Sequence, residues 1–364
     1  MKILIIKLSA IGDVVQTLPA LEAIKKTYPK GEITWVVEEA AAGILEGHPL
    51  IHRLMISRRK SWLRMLKNPL TFFTGMKRII VFLRELRSTR YDIAIDLQGL
   101  LKSGMLIGLA RAHRKIGFDR TRELSYLFLN EKLPPYEKEK HALERYLEVA
   151  RYLGAVNPSP TCELPIEREV KIVKEWLKKI AGARHALPLL VVINPVARWI
   201  TKLWSEQKFA ELADRLIQEK NAVIIFTGSA DDRAVIARIV SMMKQEAENW
   251  AGETTLKELA ALASLSNLFI TTDTGPMHLA AAAGAKVVAL FGPTAPWRTG
   301  PYGASHIVVR KGLECSPCFQ RKCGDVQCME AITVEEVLEK INAKGKVQNA
   351  KVKVVNLKMQ KQAE

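Results

Sequence analysis

Several short clusters in this chain carry residue types and spacings that suit group-transfer chemistry. Ser9-Ala-Ile-Gly12-Asp13 follows directly on an apolar run, where a strand would turn into a helix. Free backbone N–H groups and the positive end of a helix dipole gather at such a turn. Gly12 permits close approach of another group. Asp13 reads equally as a first-turn capping acid and as a general base, because the dipole favours the charged form that a base needs. Spacing alone does not separate the two. A second cluster, Asp273-Thr-Gly-Pro-Met-His278, lies after the apolar run LFITT and before a helical stretch at residues 279–283. Amides of Thr274 and Gly275 could hold a diphosphate there, with His278 beside them. Phe291-Gly-Pro-Thr294 is another tight turn, with a plain turn and a ligand contact about equally supported.

Two further clusters suit the phosphate and sugar of a nucleotide. Thr201 and Lys202 precede Trp204 in a loop after the run LLVVIN, and a Lys and Thr there can grip phosphate. On that cluster alone a solvated loop lysine is the commoner outcome. Ser229 and Asp231 follow the run AVIIFT. An acid at the end of a strand in a nucleotide-binding sheet often takes ribose hydroxyls, although a helix N-cap fits as well. Thr254 and Pro276 complete the donor-side candidates.

These clusters need elements to hold them. Residues 2–8 (KILIIKL), 33–37 (ITWVV) and 91–96 (YDIAID) read as strands in the first half. Residues 189–194, 222–227, 268–272 and 286–291 read as strands in the second. Helical patterns separate them, including an amphipathic stretch at residues 14–28 and helices at 141–153 and 167–180. Alternating strands and helices predict parallel sheets covered on both faces. Asn157-Pro-Ser-Pro160 is the strongest break. The chain is therefore expected to be α/β, with two doubly wound domains facing a central cleft: residues 1–165, residues 166–345 and a basic tail at 346–364. Ligands in such folds sit at the carboxyl ends of the strands.

Charge narrows the partners. The chain has 364 residues, 55 Lys and Arg against 38 Asp and Glu, and a formal net charge of +17. Such an excess points to an anionic partner. From residue 52 to 90 there are eleven Lys and Arg but only one acid, Glu85. Trp62, leucines and phenylalanines interleave with the Arg58-Arg59-Lys60 run, which suits a membrane surface or a phosphorylated ligand. No nucleic-acid-binding motif supports the third possibility. A G-x-G-x-x-G turn is missing, which argues against a dinucleotide oxidoreductase. No apolar run is long enough to span a bilayer, and no signal-peptide cleavage site is evident. A cytoplasmic protein with reduced thiols is expected. Cys315, Cys318, Cys323 and Cys328 crowd into fourteen residues. The opening C-x-x-C suits a metal, but the remaining spacing matches no standard site, so no metal is assigned.

Together these residues resemble the bacterial lipopolysaccharide heptosyltransferases, glycosyltransferase family 9. The resemblance rests on KILIIKLSAIGDVVQTLPAL, WVVEE, IDLQGLLKS and DTGPMHLAAAAGAKVVALFGPT, and it runs from residue 1 to about 345. It implies a GT-B fold of two Rossmann-like domains and metal-independent, inverting transfer with no cofactor. ADP-heptose would be the donor, bound by the second half. A Kdo-lipid A type acceptor at the inner core would bind the first half. It implies Asp13 as catalytic base and Lys202 as a donor-phosphate ligand that assists catalysis. Asp273, Thr274, Gly275 and His278 match the donor loop, and Asp231 falls near the ribose acid. Arg58, Arg59 and Arg122 fall where an anionic acceptor is held, joined by Ser9, Gly12, Gln98 and Lys102. The first half most resembles heptosyltransferase I, whereas CSPCFQRKC…CM is more like heptosyltransferase II, which leaves a heptosyltransferase II-like member with a different acceptor or sugar nucleotide as the alternative. A non-catalytic sugar-nucleotide-binding relative is the other. The implied setting is peripheral, at the inner face of an anionic inner membrane.

Overall fold

Runs of Ile, Val and Leu alternate their side chains between two faces, and that alternation sets the layers. In β1 (Lys2–Ile6) Ile3 and Ile5 enter a central apolar cluster, while Leu4 and Ile6 enter an outer one. The computed structural model describes residues 1–181 and 189–345. The predicted tail at 346–364 lies outside the described residues.

The first half continues with α1 (Ile11–Thr27), β2 (Glu32–Glu38), α2 (Glu39–Ala42), β3 (Arg53–Ser57), α3 (Arg59–Leu66) and α4 (Phe72–Ser88). It is completed by β4 (Arg90–Asp96), α5 (Leu101–Leu109), β5 (Arg111–Phe118), β6 (Glu131–Leu133) and α6 (Ala142–Tyr152). The strand order is β3-β2-β1-β4-β5-β6, parallel throughout. Ile3 pairs with Ile33 on one side and Ile93 on the other.

The second half begins with α7 (Glu167–Ala181), β7 (Leu189–Asn194), α8 (Glu206–Lys220), β8 (Ala222–Phe226), α9 (Arg233–Met242), β9 (Glu248–Asn249) and α10 (Leu256–Leu265). Then come β10 (Leu268–Thr272), α11 (Gly275–Ala282), β11 (Val287–Phe291), α12 (Pro296–Thr299), β12 (Ile307–Arg310), α13 (Gln327–Glu330) and α14 (Val334–Gly345). Its order, β12-β11-β10-β7-β8-β9, is the first sheet's order read from the other end. Both sheets therefore reverse direction once, between β1 and β4 and between β7 and β10. In open α/β sheets that reversal opens the crevice where ligands bind. This is the two-domain, Rossmann-like GT-B architecture expected from the sequence.

Two expectations are corrected. The helix at residues 14–28 is not amphipathic in practice: α1 starts at Ile11 and buries eleven of its seventeen residues. It sits at the junction, packed against α6 on one side and α11 on the other. The helix expected at 279–283 starts earlier, at Gly275, so His278 lies inside its first turns.

Candidate functional site

Parallel strands put every carboxyl-end loop on one edge of the sheet. In the second half this gathers the loops after β7, β10 and β11 around one carboxylate. The Lys202 ammonium lies 2.6 Å from Asp273 Oδ2, and the Thr294 hydroxyl donates to the same oxygen at 2.7 Å. Lys202 also reaches the Asp273 carbonyl at 3.3 Å and lies 4.5 Å from the Trp199 ring centre. The pair bridges the crevice between β7 and β10. Beside it starts α11, with Thr274 as N-cap and Pro276 in the first turn. No side chain caps this start, which leaves the first-turn amides of Gly275 and Met277 without a side-chain acceptor, the arrangement in which a helix start can hold an anion. Burial pushes the His278 imidazole down to about 4, against the opposing pull of Asp273 and Asp13, so it is neutral near pH 7.

The first half is built the same way. Gln98, after β4, accepts the Leu8 and Ser9 amides through Oε1 at 3.0 and 2.9 Å, bridging the crevice between β1 and β4. Asp96 in turn accepts the Gln98 and Gly99 amides and the Ser103 hydroxyl, which fixes that turn. Asp13 Oδ2 accepts the Ala10 amide at 2.9 Å, so it does close the first turn of α1. Its side chain nevertheless remains 42% exposed. Its other oxygen, Oδ1, accepts the Tyr146 hydroxyl at 3.3 Å and lies 4.0 Å from the Lys7 ammonium. Lys7 itself donates to Tyr146 at 2.7 Å and to the Leu97 carbonyl at 3.1 Å. Burial lowers the Lys7 pKa and raises that of Tyr146 well above its usual value, so the phenol keeps its proton and donates. A hydrogen-bond chain thus runs from Lys7 through Tyr146 to Asp13.

The cations chosen for an acceptor line the same edge. Lys102 bridges Ser9 Oγ (3.0 Å) and Glu38 (2.8 Å), and Glu38 also meets Arg59 at 3.5 Å. Arg58 pairs with Glu39 at 3.0 Å on the open surface. Arg122 is exposed after β5. Its neighbour Glu123 takes the Leu101 amide at the start of α5.

The two edges meet at a pair of glycines. A Cβ on Gly12 would sit 2.3 Å from His278 Cδ2. One on Gly275 would sit 3.1 Å from Ile11 Cβ and 3.4 Å from the Gly12 nitrogen. The starts of α1 and α11 therefore touch almost backbone to backbone, bringing Asp13 beside the donor-side turn. Further contacts join the halves: His141 Nε2 to the Gly300 carbonyl at 3.1 Å, the Tyr302 hydroxyl to Glu144, and Trp297 Nε1 to Glu139 at 2.7 Å. Chemically, the junction offers a half-exposed carboxylate, a held ammonium and two helix starts aimed at one region. That set suits deprotonating a hydroxyl while offsetting negative charge on a leaving phosphate.

Other candidates fall into lesser places. Thr201 is buried, and its hydroxyl is committed to the Gln320 carbonyl at 2.8 Å, so it braces the loop and does not grip phosphate directly. Ser229 bonds Asp232 through both its amide and hydroxyl, so Asp232 fills the capping role and leaves Asp231 exposed at the edge. Thr254 lies half-buried between β9 and α10. Trp62, expected on the surface with its basic neighbours, turns inward and packs on Phe82 with ring centres 5.2 Å apart. The four clustered cysteines are free and line one cavity of about 120 Å³ with Thr201 and Pro293. Among the described residues, no three His, Cys, Asp or Glu side chains stand close enough to hold a metal ion. Sequence reasoning missed Tyr146 and left Lys7 without a role inside the first strand run.

Comparison with known proteins identifies the family. Residues 79–328 match glycosyltransferase family 9 (heptosyltransferase). Lipopolysaccharide heptosyltransferase 1 of Pseudomonas aeruginosa is 31% identical, over 89% of this chain and 87% of that protein. The structure of Escherichia coli heptosyltransferase WaaC with ADP aligns with a TM-score of 0.75 at 25% identity, over 94% of this chain and all of that one. That of E. coli ADP-heptose lps heptosyltransferase II gives 0.73 at 25% identity, over 94% and 98%. A match of this extent and identity makes the chain a member of glycosyltransferase family 9, the heptosyltransferases.

Proposed function

We propose that this enzyme transfers heptose from ADP-heptose to the Kdo region of a lipid A acceptor, with inversion at the anomeric carbon. The observation that carries the reading is the meeting of α1 and α11, which brings Asp13 of one half and Asp273 of the other to the same buried His278. Residues 1–165 form the acceptor-binding domain and residues 166–345 the donor-binding domain. The donor diphosphate rests on the start of α11, at Thr274 and Gly275, with Lys202 alongside. Asp273 holds Lys202 through one oxygen and keeps the other for the sugar. His278 lines the site as a neutral ring. Ser229, Asp231 and Thr254 border the nucleoside at the ends of β8 and β9.

Asp13 takes the proton from the acceptor hydroxyl as that oxygen attacks the anomeric carbon. The C–O bond to the diphosphate breaks on the opposite face, and ADP leaves with its charge offset by Lys202 and the helix starts. Arg58, Arg59, Lys102 and Arg122 receive the acceptor's carboxylate and phosphate groups, which guanidinium meets in a bidentate way. The acceptor is a lipid, so the enzyme works in the cytoplasm against the anionic inner face of the inner membrane. The identity to proteins named heptosyltransferase 1 supports the Kdo acceptor over a heptosylated one.

The test is incubation with ADP-heptose and Kdo-lipid A beside Asp13→Asn, read by mass spectrometry. A general base contributes about 10²–10⁴-fold, so the variant loses that much turnover and keeps donor affinity. Wild-type turnover in Asp13→Asn would remove Asp13 as base. ADP-heptose binding without product on Kdo-lipid A would move the acceptor to a heptosylated core.

A further inference from the structure

The basic segment of the first half folds into a helical hairpin with two unlike faces. Inward, Gly75 of α4 lets that helix close on α3, where an added Cβ would meet Met65 at 2.9 Å. Trp62, Phe82 and Leu86 fill the space beneath. Outward, the hairpin leaves large apolar side chains in solvent. Leu70 is 93% exposed and Phe73 is 82% exposed at the connecting turn, with Leu63, Met76 and Ile80 also uncovered. A fold that buries two aromatic rings on one face and leaves such side chains bare on the other has a use for them. Phe73, Met76 and Ile80 follow helical spacing on α4, with Lys77 and Arg84 on the same side. Lys67 flanks the turn.

We infer that this hairpin is an insertion wedge for an anionic lipid bilayer, with Leu70 and Phe73 entering the acyl boundary and the surrounding Lys and Arg meeting lipid phosphates. Two independent features fit a bilayer better than a protein partner. The apolar tip is ringed by cations, and Glu85 is the only acid from residue 52 to 90; its partner is Arg53. Interfacial helices combine an apolar face with a Lys- and Arg-rich rim in this way. The hairpin is also continuous with the acceptor edge. α3 begins at Arg59, which meets Glu38 and through it Lys102 and Ser9. Its eight residues span about 12 Å, so the wedge stands one short helix away from the acceptor cations. A headgroup sugar of a lipid held at the wedge lies within reach of that edge. The inference deepens the proposed reaction by naming how its lipid-borne acceptor is met, and it rests on that reading only for its purpose.

The test uses the full chain with vesicles of phosphatidylethanolamine and phosphatidylglycerol, and with phosphatidylcholine vesicles as control. Wild type should co-sediment with the anionic vesicles, less so at high salt, and weakly with phosphatidylcholine. Leu70→Ser combined with Phe73→Ser should weaken binding by about tenfold or more, given the apolar area withdrawn. The same variant should transfer heptose to a water-soluble, de-acylated acceptor at the wild-type rate, which shows that it is folded. Equal vesicle binding by variant and wild type would overturn the wedge. So would a Leu70- and Phe73-dependent dimer in light scattering, which would make the face a contact between copies. Failure of wild type to transfer heptose to either acceptor would count against the reaction alone, because vesicle binding is read without turnover.

Discussion

Replacing Gly12 by Ala tests the contact that joins the two halves. The new Cβ would lie 2.3 Å from His278 Cδ2 and 3.2 Å from Cγ and Nε2. Carbon atoms rest at about 3.5–4.0 Å, so about 1.2 Å or more of displacement is required. His278 is buried and cannot swing aside freely. Moving α11 along α1 fares no better, because Gly275 already stands close to Ile11 and the Gly12 nitrogen. The helices must separate, at an overpacking cost of about 1–3 kcal/mol. A shift of about 1 Å between reacting groups can cost about 10²-fold in rate. Gly12→Ala should therefore lower kcat/KM by about that factor while each sheet stays folded. The assay is a double-mutant cycle with His278→Ala, read by transfer rate and by Tm. Removing the ring removes the clash, so Gly12→Ala should cost at least about 1 kcal/mol less in that background. Equal cost in both backgrounds would refute the clash, and wild-type activity in the single variant would refute the junction.

Two further outcomes follow from the same geometry. Tyr146→Phe removes the hydroxyl that Lys7 supports and Asp13 accepts. A hydrogen bond to a charged group is worth about 1.5–3 kcal/mol, and this one is long, so kcat should fall about tenfold with donor affinity unchanged; unchanged kcat would show that the chain does not act on Asp13. The second outcome concerns pH. Burial depresses the pKa of His278, as of His48, from 6.5 to about 4. Their neutral forms stabilise the fold fully above pH 6.5, and that contribution is lost as pH falls from 6.5 towards 4. Across that window wild type should lose more Tm than His278→Gln, and parallel curves would contradict it.

What the sequence made legible depends on range. Strands β7 and β10 were readable to the residue, because a buried parallel strand is a short β-branched run whatever surrounds it. The Asp273–His278 turn stood out because it lies just past such a run, whereas spacing left Asp13 and Lys202 open and only the family resemblance singled them out. Tyr146 was not legible, since it reads as one more apolar-face residue of α6 and owes its role to Lys7, 139 positions away. The turn at Thr294 was an even choice between plain turn and ligand contact, and nothing in the sequence pointed to what the structure shows, a buried hydroxyl bracing Asp273. Which way Trp62 faces was not legible, because a basic, aromatic segment has the same composition whichever side its rings face. The burial of α1 on two sides escaped for a similar reason: its second covering surface, α11, belongs to the other half.

The division of labour between the halves follows from using one topology twice. Each sheet opens a crevice where its strand order reverses, and in each a side chain spans that crevice: Gln98 in the first, Lys202 with Asp273 in the second. Gln98 is neutral, and the carboxylate on that side, Asp13, stays half-exposed. The second half spans its crevice with an ion pair that is largely shielded from water. Removing one member of such a pair leaves an uncompensated charge, at about 3–5 kcal/mol. Asp273 therefore fixes where the Lys202 ammonium stands before any phosphate arrives, and Thr294 fixes Asp273. A positively charged group placed in advance need not reorganise as the leaving group gains charge, which is where preorganised sites gain most. In the proposed reaction the proton acceptor Asp13 comes from the first half and the diphosphate cradle from the second, so the approach of α1 to α11, limited by two glycines, completes the site.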